Sequence, residues 1–277
     1  MPPFSQNLNT QKFSMTPSIQ FLNKSREIID KVSAQEVSIK KAAQLCAESI
    51  LAGRLTHLFG SGHSRIMVEE MWPRYGSFPG FNPIVELSLS FHNLVVGANG
   101  QRQAMFLENV SGLAERILRN FDLSILDTAL IVSSSGCNVV PIEMAEEFKK
   151  HSVKVIALVS LEHLEKSNSK RKDGKKLTDF ADIVLDTGAP VGDAMIYIEG
   201  LETPVAPGST VGGVLLINCL KAEIAQLLVN RGKIPKVLSA AAVVGTEKAI
   251  ELFESAYDEH AHLMSKLYAN VGTKRSV

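Results

Sequence analysis

Short apolar runs alternate with longer segments of helical periodicity through the middle of this chain. The runs that predict β-strands are Thr56–Phe59, Ile84–Glu86, Thr128–Ser133, Val153–Val159 and Ile183–Asp186. The segments that predict helices are Ser64–Trp72, Gln103–Arg119, Val139–Lys150 and Thr210–Arg231. Short buried strands separated by helices favour a parallel sheet with right-handed crossovers. We therefore predict an α/β fold with a doubly wound parallel sheet.

Helical periodicity also flanks this α/β region on both sides. From Ser18 to Leu51, apolar residues recur at helical spacing, which predicts two helices or one helix broken near Ser33. A charge-rich helix is predicted at Thr246–Tyr268. These patterns divide the chain into a flexible polar tail at residues 1–17, an α/β domain with an N-terminal helical extension at 18–231, and a C-terminal helical extension at 232–277.

Composition narrows the classes of partner. The chain has 277 residues with 29 basic and 29 acidic side chains, a balance that favours neither nucleic acid nor a membrane as a partner. Its three cysteines are widely spaced, which predicts neither a metal site nor a disulfide framework and favours a reducing compartment. The longest apolar run, Val211–Leu220, is far short of the ~20 residues of a membrane span. We therefore expect a cytoplasmic protein without a signal peptide, a metal or a cofactor.

Two turns rich in glycine and serine each follow a predicted strand and precede a predicted helix. The first is Gly60-Ser61-Gly62-His63-Ser64, and the second runs from Ser133 to Asn138. A helix start offers unpaired N–H groups and a positive dipole end, while glycines let the backbone close around an anion. The second turn has three serines and no lysine, so it suits a phosphate monoester better than a nucleoside triphosphate. Because ligands of such sheets bind at the carboxyl ends of the strands, we expect both turns to contact one ligand.

Other phosphate and nucleophile motifs fit this chain less well. Gly60-x-Gly62-x-x-Arg65 resembles a dinucleotide fingerprint, with Glu86 where a ribose-binding acid would lie, but arginine replaces the third glycine. The chain has no Gly-Lys-Ser/Thr tripeptide of a triphosphate loop and no Gly-x-Ser-x-Gly nucleophile elbow. A dinucleotide-dependent enzyme is therefore only a third alternative.

Three motifs together resemble the SIS (sugar isomerase) domain. They are the first turn, Ser133-x-Ser135-Gly136-x-Asn138, and Pro207-x-Ser209-Thr210 at the start of a long apolar helix. The similarity covers roughly Leu45 to Arg231, and segments 174–177, 186–193 and 205–210 further resemble a group of bacterial SIS proteins described as phosphosugar isomerases. The resemblance implies a five-stranded parallel sheet, phosphosugar binding, and dimers or tetramers whose sites lie at subunit interfaces.

The resemblance also implies a set of binding residues. The serine-rich turn would bind the sugar phosphate through Ser133, Ser135 and Asn138, with backbone groups of Ser134 and Gly136. Asn138 departs from the usual serine or threonine, although an amide also donates hydrogen bonds. The other residues expected in the site are Gly60, Ser61, Gly62, Ser64, Asp193, Ser209 and Thr210. Asp193, beside a Gly-Pro loop, fits either contact with sugar hydroxyls or stabilisation of its own turn.

Aldose–ketose isomerisation requires a base that moves a proton between adjacent carbons through an enediolate. Glu70 matches the catalytic glutamate of SIS phosphoheptose isomerases through Glu69-Glu70-Met71-x-x-Arg74-Tyr75. Its projected position between Ile66 and Met67 predicts partial desolvation, which would raise its pKa. The alternative for Glu70 is a solvated acid or an ion-pair partner of an arginine.

Two histidine positions bear on the same chemistry. His63, inside the first turn, is a candidate for opening a sugar ring or contacting phosphate, or is only part of a polar wall. The histidine that phosphoheptose isomerases place on the long C-terminal helix is absent from the equivalent stretch Leu216-Ile217-Asn218-Cys219.

Two classes of function therefore remain open. One is an enzyme that acts on a phosphosugar by isomerisation, amino-sugar deamination or elimination, which Glu70 and the serine-rich turn favour. The other is a phosphosugar sensor without turnover, which the missing helix histidine favours. The N-terminal segment shows no convincing helix-turn-helix, so a sensor that binds DNA has little support in the sequence.

Overall fold

The computed structural model describes residues 15–90 and 100–269 of the chain. The strands are β1 Thr56–Gly60, β2 Phe81–Ile84, β3 Thr128–Val132, β4 Lys154–Val159, β5 Ile183–Asp186, β6 Ala194–Ile196 and β7 Val205–Pro207. The helices are α1 Pro17–Ser33, α2 Glu36–Leu51, α3 Arg65–Met71, α4 Leu87–Ser90, α5 Gln101–Leu107, α6 Leu113–Leu118, α7 Val139–Lys150, α8 Leu161–Lys166, α9 Ser209–Asn230, α10 Ala241–Val244 and α11 Thr246–Tyr268.

The first five strands form one parallel sheet in the order β2-β1-β3-β4-β5. From β1 the chain first adds β2 on one side and then β3 on the other, so the strand order reverses between β1 and β3. In open α/β sheets such a switch point leaves a crevice at the carboxyl ends of the strands, where ligands bind. The predicted α/β fold with a five-stranded parallel sheet is confirmed.

Helices cover both faces of the sheet, because successive residues of each strand alternate between two apolar cores. Leu58, Leu130 and Ile156 face a core that α1, α2, α3 and α9 complete. Phe59 and Ile131 face the opposite core, which is formed with α6 and α7. Burial of a side chain such as Phe59 stabilises the fold by roughly 1.5–3 kcal/mol. The two-sided burial explains why the strands read as continuous apolar runs in the sequence.

Two predicted elements differ from the structure. Strand β2 begins three residues before the predicted Ile84, and it contains Pro83, which is tolerated because β2 lies at the sheet edge. The long helix predicted at Gln103–Arg119 is two helices, because Gly112 adopts a left-handed conformation with φ of 84°. This break places Glu108 at the end of α5 rather than inside a helix.

Helix α9 is central to the packing of the domain. Among the described residues it is the one helix long and apolar enough to cross a membrane by length and composition. In this fold α9 packs against α1, α2 and α3, and Leu216, Ile217, Leu220 and Ile224 on it are fully buried. Its apolar character therefore serves the core of the α/β domain.

Gly212 brings the start of α9 onto the carboxyl edge of the sheet. A Cβ atom at this position would lie 1.8 Å from the carbonyl oxygen of Thr187, the residue that follows β5. Only glycine allows two backbones to approach this closely. The N-terminus of α9 is thereby held beside the strand ends where the two glycine- and serine-rich turns lie.

Candidate functional site

A cavity of about 540 Å³ opens at the carboxyl edge of the sheet, and we call it the main cavity. The strand ends contribute Ser61 after β1, Ser133 after β3, Leu158 from β4 and Thr187 after β5. The other lining residues are Gly62, His63, Ser64, Met67, Leu89, Gln101, Ala104, Met105, Glu108, Val132, Ser134, Ser135, Asn138, His163, Gly192, Asp193, Ser209 and Thr210. The two turns singled out in the sequence therefore line one cavity.

The first turn closes tightly against its own helix start. A Cβ atom at Gly60 would lie 2.6 Å from the carbonyl oxygen of Ser64, so this position accepts only glycine. The N–H of Ser64 donates to the carbonyl oxygen of Ser61 at 3.0 Å. Gly60 itself does not line the main cavity, whereas Ser61, Gly62, His63 and Ser64 do. The role of Gly60 is thus to shape the turn.

The serine-rich turn places the hydroxyl groups of three consecutive serines directly after the end of β3. The hydroxyl oxygen of Ser133 accepts from the N–H of Gly136 at 3.2 Å, and that of Ser135 accepts from the N–H of Cys137 at 3.3 Å. Each hydroxyl keeps its own proton to donate. The hydroxyl oxygen of Ser134 is buried and has no hydrogen-bond partner within the described part of the chain. A buried polar atom of this kind indicates a group that a ligand or water satisfies.

The start of α7 offers fewer donors than the sequence suggested. The N–H of Val140 donates to the carbonyl oxygen of Glu108 at 2.9 Å, and Pro141 has no N–H. Asn138 precedes the helix, and its amide Nδ2 donates to Glu108 Oε2 at 2.6 Å. Two of the first three residues of α7 therefore have no free N–H group for an anion.

The start of α9 is capped by Asp193. One carboxylate oxygen accepts from the N–H of Ser209 at 2.6 Å and from that of Gly208 at 3.0 Å, and the other accepts from the Ser209 hydroxyl at 2.7 Å. A carboxylate at this position satisfies helix donors and the positive dipole end. Of the two roles open for Asp193, these contacts favour stabilisation of the helix start. Thr210 also lines the main cavity.

Glu108 is the residue of this cavity that sequence reasoning missed. Its Oε1 accepts from the hydroxyl of Ser61 and its Oε2 from Asn138, so the carboxyl group joins the turn after β1 to the turn after β3. Burial raises the pKa of Glu108, and the hydrogen bonds from Ser61 and Asn138 oppose that rise only in part. The signal in the sequence was the turn-forming stretch Asn109-Val110-Ser111-Gly112, which ends the helix directly after Glu108.

Two further polar residues at the strand ends were also missed. His163 on α8 lines the main cavity, and its Nδ1 accepts from the N–H of Gly192 at 3.1 Å. Thr187 lines the cavity after β5. No lysine or arginine is among the lining residues that the structure describes. The basic segment 166–176 contributes none, and its Arg171 pairs with Glu146 and Asp173 at 2.8 and 2.7 Å.

Glu70 lies on the other side of α3, in a second cavity of about 530 Å³. Arg74 Nη1 donates to one of its carboxylate oxygens and Asn218 Nδ2 to the other, the latter at 2.7 Å. The side chain is 13% exposed, so the partial desolvation predicted for it is present. Desolvation alone would raise its pKa, but hydrogen bonds from Asn218 and Arg74 and the charges of Arg74 and Lys221 outweigh it and lower the pKa. The raised pKa expected for Glu70 is therefore wrong.

Lys221 completes the polar cluster around Glu70. Its ammonium donates to the carbonyl oxygen of Glu70 at 2.7 Å, and the residue is 5% exposed. Desolvation lowers the pKa of Lys221, although the charge of Glu70 opposes the shift. Asn218, from the stretch Leu216-Ile217-Asn218-Cys219 that lacks a histidine, is exposed and bonded to Glu70. Neither Glu70 nor Asn218 lines the main cavity.

The polar groups of the main cavity determine what it can bind. Within residues 15–90 and 100–269, no group of three or more His, Cys, Asp or Glu side chains is placed to hold a metal ion. The polar lining consists mostly of hydroxyl groups, with two imidazoles, two amides and two carboxyl groups, of which that of Glu108 has a raised pKa and that of Asp193 caps α9. Such a lining can donate to a phosphate and exchange hydrogen bonds with sugar hydroxyls.

Comparison with known proteins identifies the family of this chain. Residues 20–160 match the SIS domain. A UPF0309 protein of Halalkalibacterium halodurans is 36% identical over 234 residues, which cover 84% of this chain and 93% of that protein. A UPF0309 protein of Brucella anthropi is 34% identical over 223 residues, which cover 80% of this chain and 88% of that protein. A phosphoheptose isomerase structure from Francisella tularensis aligns with 76% of this chain and 100% of its own, with 16% identity and a TM-score of 0.49. The chain belongs to the SIS domain family and, within it, to the UPF0309 proteins.

Proposed function

We propose that this protein binds a sugar phosphate in the main cavity, with the phosphate on the turn Ser133–Asn138. The observation that carries the proposal is the buried Ser134 hydroxyl, which has no partner in the described structure and lies between two serines whose hydroxyls are oriented by backbone N–H groups. A phosphate ester has acceptor oxygens enough for all three hydroxyls. Membership of the SIS domain family supports the same class of ligand.

The remainder of the main cavity fits the sugar. Its volume of about 540 Å³ lies within the roughly 300–1,000 Å³ of small-molecule sites. His63, Glu108, His163 and Thr187 supply polar groups around the space beyond the serine-rich turn, and Met67 and Leu89 supply apolar walls. Alternating polar and apolar walls recognise the hydroxyl edges and the C–H faces of a sugar.

For the reaction we propose aldose–ketose isomerisation through an enediolate, with His63 as the group that assists ring opening. The second candidate function is a phosphosugar sensor without turnover. It is favoured by the lack of a histidine in the stretch Leu216-Ile217-Asn218-Cys219, whose Asn218 instead donates a hydrogen bond of 2.7 Å to Glu70. Deamination or elimination on an amino-sugar phosphate remains a variant of the enzymatic alternative.

The binding proposal is tested by calorimetric titration with sugars supplied with and without a terminal phosphate. Wild-type protein is expected to bind the phosphate ester and to bind the free sugar much more weakly. Hydrogen bonds to charged groups contribute roughly 1.5–3 kcal/mol, so Ser133→Ala and Ser135→Ala should each weaken ester binding about tenfold or more. Ser265→Ala, on the exposed side of α11, is the matched control and should bind as wild type does. Equal binding of ester and free sugar would contradict the proposal.

The assembly and location of the protein belong to the same proposal. We expect a homodimer or a larger homo-oligomer with the site near the interface, acting in the cytoplasm without a cofactor. Support for assembly comes from apolar side chains of α1 that the single chain leaves exposed, among them Ile19, Leu22 and Ile29.

A further inference from the structure

The carboxyl group of Glu108 is fixed at the centre of the polar wall of the main cavity. Its backbone N–H donates to Ala104 in α5, and its carbonyl oxygen accepts from Val140 at the start of α7, both at 2.9 Å. These bonds tie the end of α5 to the helix that follows the serine-rich turn. The carboxyl group therefore has a set position relative to the proposed phosphate site.

The carboxyl group has no counter-ion among its hydrogen-bond partners in the described part of the chain. Both of its hydrogen-bond partners, Ser61 and Asn138, are neutral. A structural link between two turns does not require a charge, and burying an unpaired carboxylate is costly. A glutamine amide would accept the bond from Ser61, and rotation of the Asn138 amide would let it donate to Asn138 instead, without burying a charge. The presence of an acid here is thus better explained by a role in which it gains and loses a proton.

The other titratable groups that face the cavity leave this role open to Glu108. Asp193 is engaged by the start of α9, and His163 Nδ1 accepts a backbone hydrogen bond. His63 lines the cavity from the first turn, and the proposed reaction assigns it to ring opening. Behind Glu108, Glu143 of α7 accepts from Ser111 and from the N–H of Gly112 rather than facing the cavity.

Glu70 is the rival base, and its surroundings weigh against it. It lies across α3 from the main cavity and is held by a guanidinium, an amide and the charge of a nearby ammonium. Such contacts stabilise the carboxylate and make it a weaker proton acceptor. Glu108, in contrast, has a raised pKa and lies in the cavity with the serine-rich turn.

We infer that Glu108, rather than Glu70, moves the substrate proton in the main cavity; this inference rests on the proposed sugar-phosphate function. Its carboxylate takes the proton from the carbon next to the carbonyl, and the electron pair of that C–H bond forms the carbon–carbon double bond of the enediol. The negative charge that this leaves on the former carbonyl oxygen is neutralised by the proton of the adjacent hydroxyl, which passes between the two oxygens of the enediolate, and the oxygen that loses it becomes the new carbonyl oxygen. Glu108 then returns its proton to the former carbonyl carbon, so atoms and charge balance.

The first test measures how binding of a sugar phosphate depends on pH, for wild type, Glu108→Gln and Glu70→Gln. A bound dianion raises the pKa of a nearby carboxyl group, so binding by wild type should weaken as pH rises and Glu108 loses its proton. Each pKa unit of that rise corresponds to tenfold in affinity. The ester itself also titrates, but this contribution is common to all three proteins. Glu108→Gln should therefore lose part of the pH dependence, and Glu70→Gln should keep it.

The second test measures deuterium exchange from solvent into the carbon next to the carbonyl of the bound sugar phosphate by NMR. Glu108→Gln should lower the exchange rate by ~10²–10⁴-fold, Glu108→Asp should restore part of it, and Glu70→Gln should exchange at nearly the wild-type rate. A merely structural link would not produce rescue by aspartate together with loss in the nearly isosteric glutamine variant.

The outcomes separate the inference from the proposed function. Absence of ester binding by wild type would end both. Ester binding with the same pH dependence in wild type and Glu108→Gln, or exchange that persists in Glu108→Gln, would overturn the inference and leave the binding function standing. An ester that binds but never exchanges its proton would also overturn it and would select the sensor.

Discussion

Two carboxyl groups show how strongly neighbouring side chains set the protonation of single residues in this fold. Among the described residues Glu108 accepts hydrogen bonds from two neutral side chains, and its pKa is raised by burial. Asp127, at the opposite edge of the sheet, is also desolvated, but His57 and Arg54 lower its pKa to about 2. Arg54 binds Asp127 through Nε and Nη2, both at 2.8 Å, and the Asp127 side chain is 1% exposed. A carboxyl group therefore lines the main cavity at one end of the strands, in Glu108, and holds an ion pair at the other end, in Asp127.

Asp127 should stabilise the fold in a way that depends on pH. Because its pKa is lowered in the folded state from a usual 3.8 to about 2, its contribution is present above pH 3.8 and is lost as pH falls through about 2. Asp127→Ala should lower the free energy of unfolding by roughly 3–5 kcal/mol at neutral pH, since it removes the carboxylate partner of the partly buried Arg54. Urea unfolding of both proteins across this range measures the difference.

The control for Asp127 is Lys24→Ala, which removes only an exposed ion pair with Glu27. This variant should unfold as wild type does at every pH. A difference between wild type and Asp127→Ala that stays constant down to pH values below about 2 would show that the lost contact is not ionic.

Among the elements, the start of α9 packs against backbone at Gly212, whereas the next residue, Gly213, packs against a side chain. Gly212→Ala would place a Cβ 1.8 Å from the backbone oxygen of Thr187, so α9 must move away from the strand ends. Gly213→Ala meets the flexible end of Met67 at 2.8 Å, and alanine has the higher helix propensity by about 1 kcal/mol. Gly212→Ala should therefore lower both the melting temperature and sugar-phosphate affinity, whereas Gly213→Ala should change them far less. Equal effects would contradict the close approach.

An element can be predicted from the sequence when the residues that determine it lie close together in the chain. The range Val139–Lys150 of α7 and the two turns follow from periodicity and from glycine and serine spacing, which are local signals. The position of Glu108 could not be read in this way, because it depends on Gly112 ending a helix and on contacts with turns 47 and 30 residues away. The hydrogen bond between Asn218 and Glu70 joins residues 148 positions apart, so it could not be predicted from the sequence for the same reason.

At the scale of the whole molecule, apolar surface on α1 points to assembly. Ile19, Leu22 and Ile29 are 44–49% exposed and lie along one side of the helix, at spacings of three and seven residues. We predict a homodimer or larger assembly by light scattering at micromolar concentration. The double variant Leu22→Glu and Ile29→Glu should shift the mass towards the monomer, while Val37→Glu, exposed on α2, should not. A wild-type protein that is already monomeric would contradict this prediction.

The central claim is that the turn at Ser133–Asn138 binds the phosphate of a sugar ester, and phosphorus NMR of the ester tests it most directly. Wild-type protein should shift and broaden the phosphorus resonance, and inorganic phosphate in excess should reverse the change. Ser134→Ala removes the one buried hydroxyl of the turn that lacks a partner in the described structure, and it should strongly reduce the effect. A resonance that responds equally to wild type and Ser134→Ala, or to neither, would contradict the account.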